Sequence, residues 1–188
     1  MMAETKYVNL NKVYTKRGDK GKTDLFGGSQ ASKASLKVNA YGAIDELGAF
    51  LGLVRFYSKE EDIKSLMLEL EKKLLIVGGF LASDEKGQAM MKVKIEEEDI
   101  RFLEEKIDFY NAKLPDLFAF ILPGDTEVSS YLHVARTVAR RAERAMVALA
   151  ETETLQENLL KYINRSSDLL FILARYDAVQ EWKVSLKN

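Results

Sequence analysis

Apolar residues recur at three- and four-residue steps over five stretches of the chain, the spacing of helices that bury one face. Ser129 to Ala150 shows it most fully, with neither glycine nor proline to interrupt it. At about 100° per residue, Leu132, Ala135, Val138, Ala139, Ala142, Ala145, Met146 and Leu149 fall on one arc, so this helix is expected to pack into a core. Leu36 to Tyr57 repeats the pattern through Val38, Tyr41, Ile44, Leu47, Leu51 and Val54. Glu60 to Ser83 does so through Ile63, Leu66, Leu70, Leu74, Val77 and Leu81. Ile95 to Asn111 opens on Glu96, Glu97, Glu98 and Asp99, acids that suit a helix N-terminus. Glu157 to Trp182 completes the set. The pattern predicts an all-α fold, a five-helix up-and-down bundle in a single domain spanning 1–188.

Two connections differ from this pattern. Asp84 to Lys94 has no periodicity and reads as a loop. Leu117 to Leu122 is an apolar run of six between Pro115 and Pro123, too short for a long helix. It is expected to be an extended connection held against the core, its Phe120 either a core plug or a ligand wall.

The 188 residues are 47% hydrophobic with a formal net charge of −1, enough for one domain with a sizeable core. Near-neutrality argues against a nucleic-acid surface. Without cysteine, disulfides, thiolate metal sites and cysteine nucleophiles are excluded, and a single histidine excludes a histidine metal cluster. His133 reads as a packed or helix-end residue. No run is long and apolar enough to span a bilayer, and the N-terminus carries no signal-peptide core, so a cytoplasmic protein is expected.

Charge is concentrated in two places. The Ser129 to Ala150 helix carries four arginines and one glutamate. Arg136, Arg140, Glu143 and Arg144 share one flank with His133, and that stripe lacks the acids to neutralise it. Residues Val13 to Ser35 interleave Gly18, Gly21, Gly27 and Gly28 with Lys16, Arg17, Lys20, Lys22 and Lys33, and add the hydroxyls of Thr15 and Thr23. Inward-turned backbone N–H groups beside lysines make a phosphate cradle, although no Walker A pattern is present. A solvated N-terminal tail is the competing reading. On the last helix Asn164 and Asp168 share a face among apolar residues, and Asn164 is either a bridge between helices or a ligand reader. Arginine forks and a glycine cradle together suit a polyphosphate, with Mg²⁺ and a nucleotide as its natural companions. No Ser-His-Asp or Cys-His set exists for nucleophilic catalysis by the protein.

The segments YTKRGDKGKTDLFGG, YGAIDELGAFLG, FILPG, LHVARTVARRAER and YINRSSDLLFILARY occur in this order and cover most of the chain. Together they resemble the PduO-type ATP:cob(I)alamin adenosyltransferases. The resemblance implies a helical bundle assembled as a homotrimer, with active sites at subunit interfaces, that moves the adenosyl group of ATP to the cobalt of a reduced corrinoid. It implies ATP contacts from Thr15, Lys16, Arg17, Gly18, Thr23, Asp24 and Lys33, from Arg140, Arg141, Glu143 and Arg144, and from Asn164 to the nucleoside. It also implies an Asp45 to Arg136 bridge between neighbouring subunits, Phe120 closing the lower corrinoid face, and a reductase as a further partner. A non-catalytic nucleotide or corrinoid binder, or a helical interaction module, would keep the bundle without the chemistry.

Overall fold

A computed structural model describes residue 14 and residues 16–185, with side chains through 182. The described chain is mostly helical, with six helices and one small antiparallel sheet. In order these are β1 (Lys22–Asp24), β2 (Gln30–Ser32), α1 (Leu36–Tyr57), α2 (Glu61–Leu81), α3 (Glu85–Met90), α4 (Glu97–Asn111), α5 (Glu127–Ala150) and α6 (Glu157–Ser185). The long helices pack in the spatial order α2, α1, α5, α6, α4. Contacts of Lys37 with Glu153, Glu46 with Arg141 and Tyr57 with Tyr131 show that α1 and α5 run antiparallel.

The apolar arc expected on α5 is buried at every position, with Leu132, Ala135, Ala139, Ala142 and Met146 wholly inaccessible. Helix α5 begins two residues before the sequence pattern suggests. Thr126 caps it by accepting from Ser129 N at 2.8 Å, and the same hydroxyl donates to Asp177 of α6. On α1, Ala40, Ala43, Ile44, Leu47, Leu51 and Val54 face the core. Lys37 is buried beside them, its Nζ 2.6 Å from Glu153 Oε2 and 3.3 Å from Ser83 O. One ammonium thereby joins the start of α1, the end of α2 and the turn after α5.

The expected count of five helices is corrected to six among the described residues, because a helix stands where a loop was expected. Helix α3 has six residues, too few for an apolar period to declare itself. Its signal is Asp84, whose carboxylate accepts from Gly87 N at 2.9 Å as an N-cap and from Ser29 N at 3.0 Å. These two hydrogen bonds, that of Gly87 first, hold its carboxyl below the usual range. The β1–β2 hairpin docks on this junction: Phe26 N donates to Ala82 O at 2.9 Å and Asp84 N to Phe26 O at 3.0 Å, with Leu25 buried below. The tail reading is therefore set aside for the described part of the N-terminal segment. Gly27 has φ +118°, and a Cβ there would fall 1.6 Å from Asp84 Oδ1.

The connection from Pro115 to Pro123 is irregular, as expected, but it is not held against the core. Phe118, Phe120 and Leu122 stand fully or almost fully in solvent. Two residues apart along an irregular segment, these three side chains are left uncovered by the bundle.

His133 is buried at 5% exposure with its ring 6.3 Å from that of Phe171. Burial, and secondarily the Arg136 charge, push its pKa below the ordinary 6.5, with Asp125 opposing. A histidine depressed in this way stabilises the fold above its unfolded pKa and loses that contribution as pH falls through the folded value. The unfolding free energy should therefore decline below about pH 6.5, by no more than ~1.4 kcal/mol per pH unit from this group, and the melting temperature with it. In His133→Gln the slope of melting temperature against pH in that window should flatten. The hairpin junction gives a second expectation. A Cβ on Gly87 would meet Phe26 O at 1.9 Å, so Gly87→Ala should cost about 1–3 kcal/mol in denaturant unfolding. Faster amide exchange over Lys22–Ser32 should accompany it.

Candidate functional site

Helix α5 is packed on two sides by α1 and α6, which leaves its polar flanks as the only places for long side chains. Arg140 and Arg144 are exposed and Glu143 is half-buried. Glu143 lies between its neighbours: Oε1 accepts from Asn164 Nδ2 of α6 at 2.7 Å, and Oε2 is 3.8 Å from Arg140 Nη1. Asn164 is thus a bridge between α5 and α6 in this chain. One amide N–H and one carbonyl lone pair remain for a ligand. Arg141 turns the other way and pairs with Glu46 of α1, so it is neutralised within the chain. Arg144 has no ion pair among the described residues.

One turn toward the N-terminus, Arg136 has no ion pair among the described residues either. Its Nε is buried without a hydrogen-bond partner, and its guanidinium carbon lies 5.9 Å from the centre of the Phe171 ring. Arg136 and Arg140 line a cleft of about 370 Å³ with His133, Ser167, Asp168 and Phe171. The opposite wall comes from the proline-bracketed connection, through Leu117, Phe120, Ile121 and Pro123. Phe120 therefore stands as a wall of a cleft. Asp168 and Phe171 follow Asn164 at four and seven residues, on one face of α6. That spacing is the signal in the sequence for Phe171, which was not among the expected site residues.

Of the N-terminal set, Thr15 lies outside the described residues. Lys16, Arg17, Thr23, Asp24 and Lys33 come together on the turn and hairpin that precede α1. Arg17 Nη1 donates to Asp24 Oδ2 at 2.8 Å, and Gln30 Nε2 to Asp24 Oδ1 at 2.8 Å. Gly18 permits a close approach, since a Cβ there would stand 2.9 Å from Lys33 Nζ. This gathers three cations around one tight turn. No hydrogen bond or ion pair among the described residues joins this group to Arg140, Glu143, Arg144 or Asn164. Within the described chain the two charged groups are separate.

Asp45 and Arg136 are likewise apart. Asp45 is exposed and lines a second groove, of about 760 Å³, between α1 and α2. Glycines Gly42, Gly48, Gly52, Gly78 and Gly79 keep that groove shallow-walled. One cleft thus presents an arginine with an unmet hydrogen bond, and a separate groove presents a carboxylate.

The chain matches the Cobalamin adenosyltransferase family over residues 13–177. It is 42% identical over 168 residues to a corrinoid adenosyltransferase of Citrobacter freundii, covering 89% of this chain and 96% of that protein. A corrinoid adenosyltransferase of Bacillus subtilis is 45% identical over 168 residues, covering 87% of this chain and 85% of its own. In shape the chain is similar to a phenylalanine-to-alanine variant of the PduO-type ATP:corrinoid adenosyltransferase from Lactobacillus reuteri, solved with cobalamin and ATP. The TM-score is 0.85 and the identity 38%, over 91% of this chain and 96% of that one. The matched span holds the hairpin, the arginine flank and both clefts, and the chain belongs to the cobalamin adenosyltransferase family.

Proposed function

We propose that this protein transfers the 5′-deoxyadenosyl group of ATP to the cobalt of a reduced corrinoid such as cob(I)alamin, giving adenosylcobalamin and triphosphate. The observation that carries the reading is the cleft in which the exposed ring of Phe120 faces Arg136 and Arg140. An apolar ring and an anion-binding flank in one cavity suit a reaction between a flat macrocycle and a polyphosphate ester.

Cob(I)alamin is a strong nucleophile, so the chain need supply none. The cobalt electron pair forms the Co–C5′ bond, the C5′–O bond breaks, and triphosphate leaves with the electron pair of the broken bond. The protein's tasks are alignment and stabilisation of the leaving charge. Arg140 and Arg144 face the triphosphate, Glu143 orients Arg140, and Arg141 braces α5 on α1. Lys16, Arg17, Gly18, Thr23, Asp24 and Lys33, with Thr15, form the loop that holds the phosphates. Asn164 spends its remaining amide valence on the nucleoside. Phe120 covers the lower corrinoid face and keeps water from that cobalt position. Among the described residues no three His, Cys, Asp or Glu side chains cluster as a metal cage. Mg²⁺ therefore fits as a companion of the ATP phosphates rather than as an ion held by the protein alone.

Two half-sites in one chain are naturally completed by a neighbour. In this reading the five long helices act as an up-and-down bundle within a homotrimer, and Asp45 of one subunit meets the buried Nε edge of Arg136 in the next. The protein works in the cytoplasm, where a reductase supplies the reduced corrinoid. No described helix is long and apolar enough to cross a membrane.

Reduced cobalamin with ATP and Mg²⁺ should show the absorbance change to adenosylcobalamin. Binding of both compounds without that change would replace the enzyme by a sensor or carrier. Arg140→Ala should lower kcat by about 10²–10³, the usual loss for one group facing developing charge, with an unchanged melting curve. Turnover at the unmodified rate would remove Arg140 from the site. For the subunit bridge, Asp45→Arg and Arg136→Asp should each weaken the trimer in analytical ultracentrifugation, and the pair combined should recover part of it. No recovery, or indifference to both single changes, would refute the pairing.

A further inference from the structure

Helix α4 packs chiefly on α6 and has no extensive contact with α5, which carries the arginine flank. A chain of hydrogen bonds nevertheless runs from α4 to that flank. Glu104 of α4 accepts from Arg165 Nε at 2.8 Å. Arg165 Nη1 then donates to Asn164 Oδ1 at 3.0 Å. Asn164 Nδ2 donates to Glu143 Oε1 at 2.7 Å, and Glu143 Oε2 lies 3.8 Å from Arg140 Nη1. Asp168 Oδ2 takes a longer bond from Arg165 Nη1, at 3.4 Å.

The order of donors and acceptors makes this chain directional. An ionised carboxylate only accepts and a guanidinium only donates. Arg165 therefore obliges Asn164 to present its carbonyl on one side, which leaves the amide NH₂ pointing at Glu143. Without Arg165 the Asn164 amide could flip and set a carbonyl oxygen against the Glu143 carboxylate, which would then swing away from Arg140. Glu104 in turn fixes the guanidinium of Arg165 from the Nε side, leaving Nη1 for Asn164. Lysine at that position has one nitrogen and no fork with which to hold both partners in this geometry.

We propose that Glu104 and Arg165 are positioning residues for the nucleotide half-site, setting the Asn164 amide and, through it, the Glu143 carboxylate and the Arg140 guanidinium. The inference rests on the adenosyltransferase reading for its kinetic consequence, but its structural content does not require turnover.

Asn158 supplies an internal control. It also lies on α6, and its Nδ2 donates to Ile95 O just ahead of α4 at 3.3 Å. Any general displacement of α4 would disturb Asn158 and Asn164 together. The test is the side-chain NH₂ resonances of both asparagines in the full chain, assigned by Asn→Asp replacement and compared between the unmodified protein, Glu104→Gln and Arg165→Lys. The expected result is a shift of the Asn164 pair in both variants with the Asn158 pair unmoved. Shifts of both pairs, or of neither, would overturn the proposal. In kinetics, Glu104→Gln should raise KM for ATP three- to tenfold and lower kcat several-fold through Arg140, with the corrinoid KM within twofold. The same change in an Asn164→Ala background should have no effect on KM for ATP. An equal effect in the two backgrounds would show that Glu104 acts by another route. A protein with no turnover in any form would sink the adenosyltransferase reading, while the resonances still decide the positioning one.

Discussion

The structure depends on a seam of methyl groups. Helix α5 buries Ala135, Ala139, Ala142 and Ala145 between α1 and α6, and α1 brings Ala40 and Ala43 to its own buried face. Interaxial distances in packed helices run about 8–10 Å according to the side chains at the contact, and alanine sets the short end. Apolar side chains occupy the whole buried arc of α5, Leu132, Met146 and Leu149 among the alanines. The arginines fall on the flanks beside that arc, on a helix whose buried face anchors it against α1 and α6.

From that seam the charge pattern follows. Both Asp45 and Glu46 border the groove between α1 and α2, but of the two only Glu46 has an ion pair among the described residues, with Arg141 of α5. Arg141 is satisfied within its own chain. Arg136, on the other flank, keeps a buried Nε without an acceptor. A buried donor left unpaired costs about 1–3 kcal/mol, a cost that an acceptor brought beside it would offset. Similarly, the cations of the hairpin turn are only partly offset by Asp24, whose pairing with Arg17 is solvent-exposed and weak. The molecule is electrically incomplete at two edges while being nearly neutral in sum.

How much of this could be read beforehand varies with the range of the interaction. The buried arc of α5 was legible position by position, because helical periodicity is a local property. Helix α3 was not, since six residues hold less than two turns and only the Asp84 cap announces it. The burial of Leu25 and the docking of Phe26 on Ala82 depend on residues over fifty positions away. The identity of the arginine flank was visible in the sequence, but not which member had a partner: Glu46 and Arg141 are 95 apart in sequence, and Glu104 and Arg165 are 61 apart. For Asn164 the spacing left bridge and ligand reader open, and the structure shows the bridge with valence to spare. For Phe120 the sequence left core plug and ligand wall open, and the structure makes it a cleft wall, while the expectation that its connection lies against the core is reversed. An apolar run between prolines ordinarily signals burial, and only the course of the backbone reveals that Phe118, Phe120 and Leu122 point outward.

That outward turn has a thermodynamic meaning. A phenylalanine ring kept in water orders solvent around it, and covering it returns that water to the bulk, with a negative heat-capacity change as the mark of the event. The two prolines narrow the conformations open to the segment before anything binds, so less chain entropy is lost when the ring is covered. Any apolar face laid over the connection between α4 and α5 would therefore gain the full hydration term of these side chains at a reduced cost in chain entropy.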